Sequence, residues 1–180
     1  WKPGDCVIHN HPYKGASHSP DIAIVMPVFS NGDLVGFSAN TAHHVDIGAA
    51  TPGLIIDVPD VWAEGMLMDG VKLFHEGVRN EDLWKYIRDN TRVPDLVMGD
   101  LEAQIASAEL GVRRFEELLE KYGKGTVIQA TKQLMDYTER RMRAEIAKIP
   151  DGEYFAEGFL DDDGRNREIT LPVKVCVRVK

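Results

Sequence analysis

The chain has little of what three common classes of protein require. It has only two cysteines, Cys6 and Cys176, near opposite ends of its 180 residues, and this excludes a disulfide framework. No apolar run approaches the roughly 18 residues of a transmembrane helix. Asp and Glu outnumber Lys and Arg by 29 to 21, a formal net charge of −8. Since no basic patch stands out, we expect neither nucleic acid nor a membrane as a partner.

What remains is the composition of a globular protein. Hydrophobic residues make up 43% of the chain and charged residues 28%, as in ordinary packed domains. The chain begins with Trp1 and stops inside a predicted strand, so we expect it to be a piece of a larger polypeptide. We also expect a cytoplasmic location.

The first third of the chain carries strand and turn signals. The continuous apolar run at 22–29 suits a strand that is buried on both faces. Asn31-Gly32 separates this run from a second one, and this is the strongest short-range signal for a hairpin. We therefore predict an antiparallel hairpin over 22–39, after a short strand at 6–8. Residues 43–70 are punctuated by glycine and proline and are predicted to be irregular.

The middle of the chain is predicted to be helical. Asn80 is expected to cap a first helix, with acidic residues in its first turn. Apolar residues recur every three or four positions from Leu101 to Tyr122, which predicts an amphipathic helix. A further helix is expected from about 126 to 147. The short connection between the two long helices predicts that they form an antiparallel pair.

The end of the chain returns to strand signals, at 154–160 and at 169–180, where apolar and polar residues alternate. The order of strands, helices and strands indicates an α+β fold. We predict an antiparallel, hairpin-rich sheet together with a long antiparallel helix pair.

Five of the six histidines fall close together in the sequence, and two aspartates accompany them. The residues are His9, His11, His18, His43 and His44, with Asp21 and Asp46. His18 and Asp21 precede the predicted hairpin, and His43, His44 and Asp46 follow it. Because a hairpin returns its two ends to the same side, the segment before it and the segment after it are expected to meet. Mixed imidazole and carboxylate donors suit Mn, Fe or Zn.

His43 and His44 are adjacent, which limits what both can do. In a strand, neighbouring side chains point to opposite faces, so one of the two is expected to face the metal. The other histidine is then expected either to support the metal ligands from beside the site or to act as an acid or base. We assign His18, Asp21, His44 and Asp46 to the metal and His43 to acid–base chemistry, while the reverse roles of His43 and His44 stay open.

Segments spread over nearly the whole chain resemble the hydantoinase B/oxoprolinase family. They read Asn-x-Pro-Tyr-x-Gly-x-x-His-x-Pro-Asp at 10–21, Ala-His-His-x-Asp-Ile-Gly at 42–48, Asn-x-Arg-x-Pro-Asp at 90–95, Gly-Asp-Leu-Glu-Ala-Gln at 99–104 and Ile-Pro-Asp-Gly at 149–152, with a further match at 65–72. The resemblance implies that 1–180 is part of one hydantoinase B-like catalytic domain. We expect a strand and loop region with the metal site at 1–70, a helical region at 80–147 and strands at 153–180.

The sequence departs from the family pattern at His11, where the family commonly has aspartate. An imidazole at this position offers an additional acid or base, and we therefore assign His11, with His43, to catalysis.

The resemblance also implies a division of labour between subunits. A hydantoinase A-like ATPase subunit uses ATP to phosphorylate a carbonyl or enolate oxygen, and the present chain supplies a divalent metal, Mn or Zn. Gly123-Lys124 lacks the spacing of a phosphate-binding loop, which is consistent with ATP binding elsewhere.

Three functions are open at this stage. The segments at 62–65, 80–92 and 99–104 resemble the α-type subunits of acetone and acetophenone carboxylases, which predicts an ATP-dependent ketone carboxylase. The alternative is an ATP-dependent hydrolase of a cyclic amide, of the hydantoinase or oxoprolinase type. The third possibility is a scaffold in which the cluster holds a structural metal in a closed coordination shell.

Overall fold

Strands occupy both ends of the chain and helices occupy its middle. The computed structural model describes residues 1–53, 58–164 and 166–180. The strands are β1 (Cys6–His9), β2 (Asp21–Ser30), β3 (Asp33–His43), β4 (Val71–His75), β5 (Val78–Arg79), β6 (Gly152–Leu160) and β7 (Leu171–Val179). The helices are α1 (Glu81–Asp89), α2 (Pro94–Tyr122) and α3 (Lys124–Ile146). This order confirms the α+β prediction.

The predicted hairpin is formed by β2 and β3, and it is longer than expected. Asn31 and Gly32 have φ values of 52° and 86°, the left-handed conformations that a type I′ turn requires. Between Val28 and Phe29 the register shifts, because Val35 of β3 has no partner in β2. Beyond this β-bulge the ladder continues until Asp21 pairs with His43.

A five-stranded antiparallel sheet is built around this hairpin, in the order β3-β2-β1-β4-β5. The sequence did not predict β4 and β5, which are short and separated only by Glu76-Gly77. These strands have two to five residues, too few for a clear alternating pattern.

The core lies between one face of this sheet and α2. Burial alternates from Asp21 to Met26, with Ile22 and Ile24 almost fully buried. The prediction that the run is buried on both faces is therefore wrong for this stretch. The helix contributes the stripe that begins at Leu101, which is 0% exposed. Gly111 permits this packing, because a Cβ atom there would lie 2.1 Å from Oγ of Ser38.

Two compact units divide the chain, Trp1–Lys124 and Gly125–Lys180, called here the N-terminal and C-terminal units. The C-terminal unit contains the antiparallel β6–β7 hairpin, in which Leu160 pairs with Leu171. The antiparallel packing of α2 and α3 stays a prediction, because the two helices lie in different units. The grouping of the chain into one domain with three regions also stays a prediction. Among the described residues, no helix is long and apolar enough to cross a membrane.

Asp5 is a buried charge that ties the start of β1 to β4. Its carboxylate lies 2.7 Å from Nζ of Lys72 and accepts hydrogen bonds from the backbone N–H groups of Lys2 and Glu76, at 2.8 and 3.1 Å. The hydrogen bond from Lys72 is the main cause that holds the pKa of Asp5 at about 2, against the opposing effect of burial. The charged form is thus favoured by the fold.

Asp5→Asn is expected to destabilise the N-terminal unit by about 1–3 kcal/mol at pH 7, because Lys72 loses its buried carboxylate partner. The folded-state pKa lies below the ordinary value of 3.8, so the wild type keeps this contribution above that value and loses it as the pH falls toward 2. The difference in unfolding free energy between wild type and variant should shrink over the same range. Urea unfolding of the full-length protein at pH 7 and pH 3 measures it.

The matched control is Asp33→Asn, which removes an exposed carboxylate paired with Lys124 and should change stability little. Equal stability of the Asp5→Asn variant and the wild type at pH 7 would contradict the role given to Asp5.

Candidate functional site

Three of the predicted site residues meet at one end of the sheet. His18, Asp21 and His43 each offer a ligand atom, and these atoms lie within 4.8 Å of one another. Nδ1 of His18 is 3.4 Å from Oδ2 of Asp21, and Nδ1 of His43 is 3.3 Å from Oδ1. The two imidazole rings are 5.0 Å apart between centroids. We call this group the His18–Asp21–His43 cluster.

The hairpin register brings these side chains together. Asp21 and His43 are direct partners across β2 and β3, and directly opposed residues of an antiparallel pair project from the same face. His18 lies in the turn before β2, where its carbonyl oxygen accepts a hydrogen bond of 3.0 Å from the N–H of Asp21. The cluster therefore lies on the sheet face that carries Ala23, opposite the face that packs on α2.

The buried amide of Asn10 holds the loop that carries His18. Its Nδ2 donates to the carbonyl oxygens of Ser19 and Met66, at 2.7 and 2.9 Å, and its Oδ1 accepts from the N–H of Met68 at 2.6 Å. The N–H of Ser19 also donates to Glu64, at 3.2 Å. Every polar atom of the Asn10 side chain is thus used to fix the loop against the segment at 64–68.

His44 does not join the cluster. It is 2% exposed and lies 3.0 Å through Nε2 from Oε1 of Gln104. Because Nε2 of Gln104 donates to the carbonyl oxygen of Ile22 at 2.7 Å, its Oε1 must accept, and Nε2 of His44 carries the hydrogen. The structure therefore groups His43, rather than His44, with His18 and Asp21.

The β-bulge at Val35 explains this difference from the sequence assignment. In a hairpin without the bulge, the two-residue turn would pair Asp21 with Ala42, and His44 would project from the face of Asp21. One extra residue in β3 moves the ladder by one position, so that every later side chain of β3 exchanges faces.

Asp46 is also separate from the cluster, because its carboxylate binds Gly48 in its own loop and Arg92 in the connection between α1 and α2. It accepts from the N–H groups of Arg92 and Gly48, at 2.5 and 2.9 Å, and from Nη1 of Arg92 at 3.2 Å. The Asp46 side chain is 0% exposed. Nη2 of Arg92 donates further to the carbonyl oxygen of Ala49 at 2.6 Å. This ion pair fixes the chain that follows β3 to the connection between α1 and α2.

His11 lies at the start of a short 3-10 helix at Pro12–Lys14, with its ring 6.2 Å from that of Tyr13. It is not part of the cluster, and its catalytic role stays a prediction. Its Nδ1 is buried without a hydrogen-bond partner among the described residues.

A cavity of about 470 Å³ lies between β3 and α2, and of the three cluster residues only His43 lines it. Its walls include His43 and Thr41 from the strand, and Asp100 and Ser107 from the helix. The volume is within the range of small-molecule sites. A second cavity, of about 650 Å³, lies next to Phe29 and Lys124, and none of the predicted site residues line it.

Asn10, Arg92 and Gln104 fix the site, although no role was predicted for them. Gln104 could have been found, because it interrupts the apolar stripe of α2 at a position that faces the core. Arg92 gives no such signal, since its partner Asp46 is 46 residues away along the chain.

The sequence comparisons agree over the whole chain. A family model described as hydantoinase B/oxoprolinase matches residues 1–180. A protein of Pseudomonas sp. (strain NS671), named as a subunit of a D-/L-hydantoinase, is 49% identical over 97% of this chain and 31% of its own length. The beta subunit of the caprolactamase of Pseudomonas jessenii is 35% identical over 97% and 30%. The 5-oxoprolinase 1 of Arabidopsis thaliana is 33% identical over 81% and 13%. The chain thus spans less than a third of each of these relatives.

Two solved structures share the fold. The ATP-dependent caprolactamase from Pseudomonas jessenii superposes with a TM-score of 0.91 and 34% identity, over 99% of this chain and 31% of that one. A nucleotide-free structure of acetone carboxylase gives a TM-score of 0.81 and 22% identity, over 88% and 21%. At that identity the second match supports the fold alone.

Asn10→Asp is expected to loosen the loop that carries His18. The carboxylate loses both amide donors and faces two carbonyl oxygens in a buried position, at a cost of at least about 2 kcal/mol. We expect a lower unfolding temperature of the full-length protein and faster proteolysis at 11–20. Asn31→Asp is the control, since aspartate is tolerated in the exposed turn. Unchanged stability and proteolysis of Asn10→Asp would contradict this role for Asn10.

Proposed function

The chain belongs to the hydantoinase B/oxoprolinase family, and on this premise we propose that it forms the metal-site region of an ATP-dependent enzyme that hydrolyses a cyclic amide. The observation that carries the proposal is the open His18–Asp21–His43 cluster in a chain that is 49% identical to a protein named as a hydantoinase subunit. Relatives named for caprolactam and 5-oxoproline also act on cyclic amides.

The cluster has the chemistry of a catalytic metal site. Two imidazoles and one carboxylate are a donor set that suits Mn or Zn. Nδ1 of His18 is buried without a hydrogen-bond partner among the described residues, so no hydrogen bond competes with a metal for this atom. Three protein ligands leave coordination positions for water or substrate. A metal in this place polarises a carbonyl oxygen or lowers the pKa of a bound water.

His18, Asp21 and His43 are therefore proposed as the metal ligands, in place of the sequence assignment to His18, Asp21, His44 and Asp46. In the proposed site, His44 and Asp46 stabilise the strand and loop that carry His43. They do so through Gln104 and Arg92, respectively.

ATP is proposed to act through a separate, hydantoinase A-like subunit. Two of the relatives are named as subunits, which supports a complex of this kind. In the proposed reaction the partner phosphorylates the amide oxygen of the ring, and the activated carbon reacts with water beside the cluster.

A second candidate function is the carboxylation of a ketone, which the segments at 62–65, 80–92 and 99–104 predict. The superposition on acetone carboxylase, with a TM-score of 0.81, concerns the fold alone, and the alternative rests on those sequence segments. We rank it second because the relatives at higher identity are named for cyclic amides.

His18→Ala and His43→Ala should each lower the metal content of the full-length complex to less than about one-tenth of the wild-type value, since each removes one of three ligands. The unfolding temperature should change little, because both side chains are partly exposed. Metal analysis after dialysis and thermal unfolding measure the two effects. His75→Ala, at the exposed end of β4, is the control. Wild-type metal content in both variants would contradict the proposed ligand set.

The full-length chain should show no ATP hydrolysis with hydantoins or lactams until a hydantoinase A-like subunit is added. The complex should then open the ring without bicarbonate. An assay of ATP turnover and ring opening, with and without bicarbonate, measures this. Turnover that requires both a ketone and bicarbonate would instead establish the carboxylase. A metal with a closed, fully protein-bound coordination shell and no turnover would support the scaffold.

A further inference from the structure

His9 lies next to the His18–Asp21–His43 cluster on the same face of the sheet. In the ladder of β1 and β2, His9 pairs with Ala23, and Asp21 lies two residues before Ala23 on β2. Residues directly opposed or two apart project from one face, so His9 and Asp21 are diagonal neighbours. Side chains in this relation are about 7–8 Å apart, close enough to act on one bound small molecule.

Asp69 pairs with the ring of His9. Nδ1 of His9 is 3.7 Å from Oδ1 of Asp69, and Nζ of Lys14 binds the other carboxylate oxygen. The hydrogen bond from Lys14 is the main cause of a lowered pKa of Asp69, with smaller contributions from the nearby His11 and His9. Asp69 thus stays charged beside the imidazole. The backbone of this segment is fixed, because Asn10 binds both the N–H and the C=O of Met68.

The other ring nitrogen of His9 is free. Nε2 is buried and has no hydrogen-bond partner among the described residues. A carboxylate beside Nδ1 favours the tautomer in which Nδ1 carries the hydrogen, and Nε2 then has a lone pair. A carboxylate that holds an imidazole whose second nitrogen is available is the arrangement of a general base.

We propose that His9 transfers protons in the reaction of this site and that Asp69 positions its ring. The inference rests on the proposed hydrolysis of a cyclic amide and adds to it the base that the metal ligands cannot supply. Of the other ionisable groups around His9, Lys14 and His11 face Asp69, and Asp21 belongs to the cluster.

The proton balance of the step is simple. In the phosphorylated ring, the carbon that bears the O-phosphoryl group is joined to the ring nitrogen by a double bond. A water oxygen forms a bond to this carbon, the π electrons move to the nitrogen, and one proton of the water passes to Nε2 of His9 and then to the nitrogen. The bond between carbon and nitrogen breaks with its electron pair on the nitrogen, while the hydroxyl oxygen forms the carbonyl group and its proton passes through Nε2 to the nitrogen. The imidazole is then in its initial state, and a second water converts the resulting acyl phosphate to a carboxylate and inorganic phosphate.

The test uses the full-length complex with its ATPase subunit. His9→Gln should lower kcat by roughly 100-fold or more, as for loss of a general base, with wild-type metal content and little change in KM. His9→Ala should regain activity when imidazole is added, in proportion to its concentration. Asp69→Asn should lower kcat with KM unchanged, and Asp69→Glu should restore part of the loss. His75→Ala serves as the matched histidine control.

The proposed function is tested separately with the wild-type complex, since ring opening supports it and ketone carboxylation contradicts it. The variants are then compared with wild type in the reaction that is found. Ketone carboxylation also needs a proton transfer, in which the proton leaves the ketone instead of water. Wild-type kcat in His9→Gln would overturn the inference. So would imidazole rescue of a His11→Ala variant but not of His9→Ala, or a loss of metal from His9→Gln equal to that from His18→Ala.

Discussion

The register of the β2–β3 hairpin is the constraint on which the candidate site depends. Asn31-Gly32 fixes the turn, and the unpaired Val35 moves the ladder by one residue, so that Asp21 faces His43. Side chains alternate along a strand, and a slip of one residue would send His43 to the helix side and His44 to the open side. Ser38, Asn40 and Ala42, which are the half-buried residues of β3 opposite Met26, Ile24 and Ile22, would leave the helix side in the same slip, and their packing therefore stabilises the register that the chemistry needs.

Hydrogen-bonded polar side chains attach the irregular parts of the chain to this hairpin. Asn10 binds the loop before β2, Gln104 binds His44 after β3, and Arg92 binds Asp46 further on. Each joins segments that are distant in sequence, and most of their polar atoms have partners. Such side chains are costly to bury unless they are fully bonded. The open face of the sheet keeps the opposite kind of polar group, imidazole nitrogens that lack partners, at His9 and His18.

Local signals predicted the hairpin, the cap at Asn80 and the long amphipathic helix, because turn chemistry and periodicity act over a few residues. They also predicted that His18 and Asp21 meet the segment after the hairpin. They could not predict the bulge at Val35, since one extra residue leaves the apolar pattern intact, and the choice between His43 and His44 depends on it. The pairing of Asp46 with Arg92 is a tertiary contact without local pattern, and β4 and β5 are too short for one.

The central claim is that His18, Asp21 and His43 bind one divalent metal at the open end of the sheet. Anomalous diffraction from crystals of the full-length protein loaded with Mn or Zn tests it most directly. The account predicts one strong anomalous peak within about 2.0–2.3 Å of one ligand atom from each of these residues. A peak bound by His44 and Asp46, with the cluster empty, would contradict it.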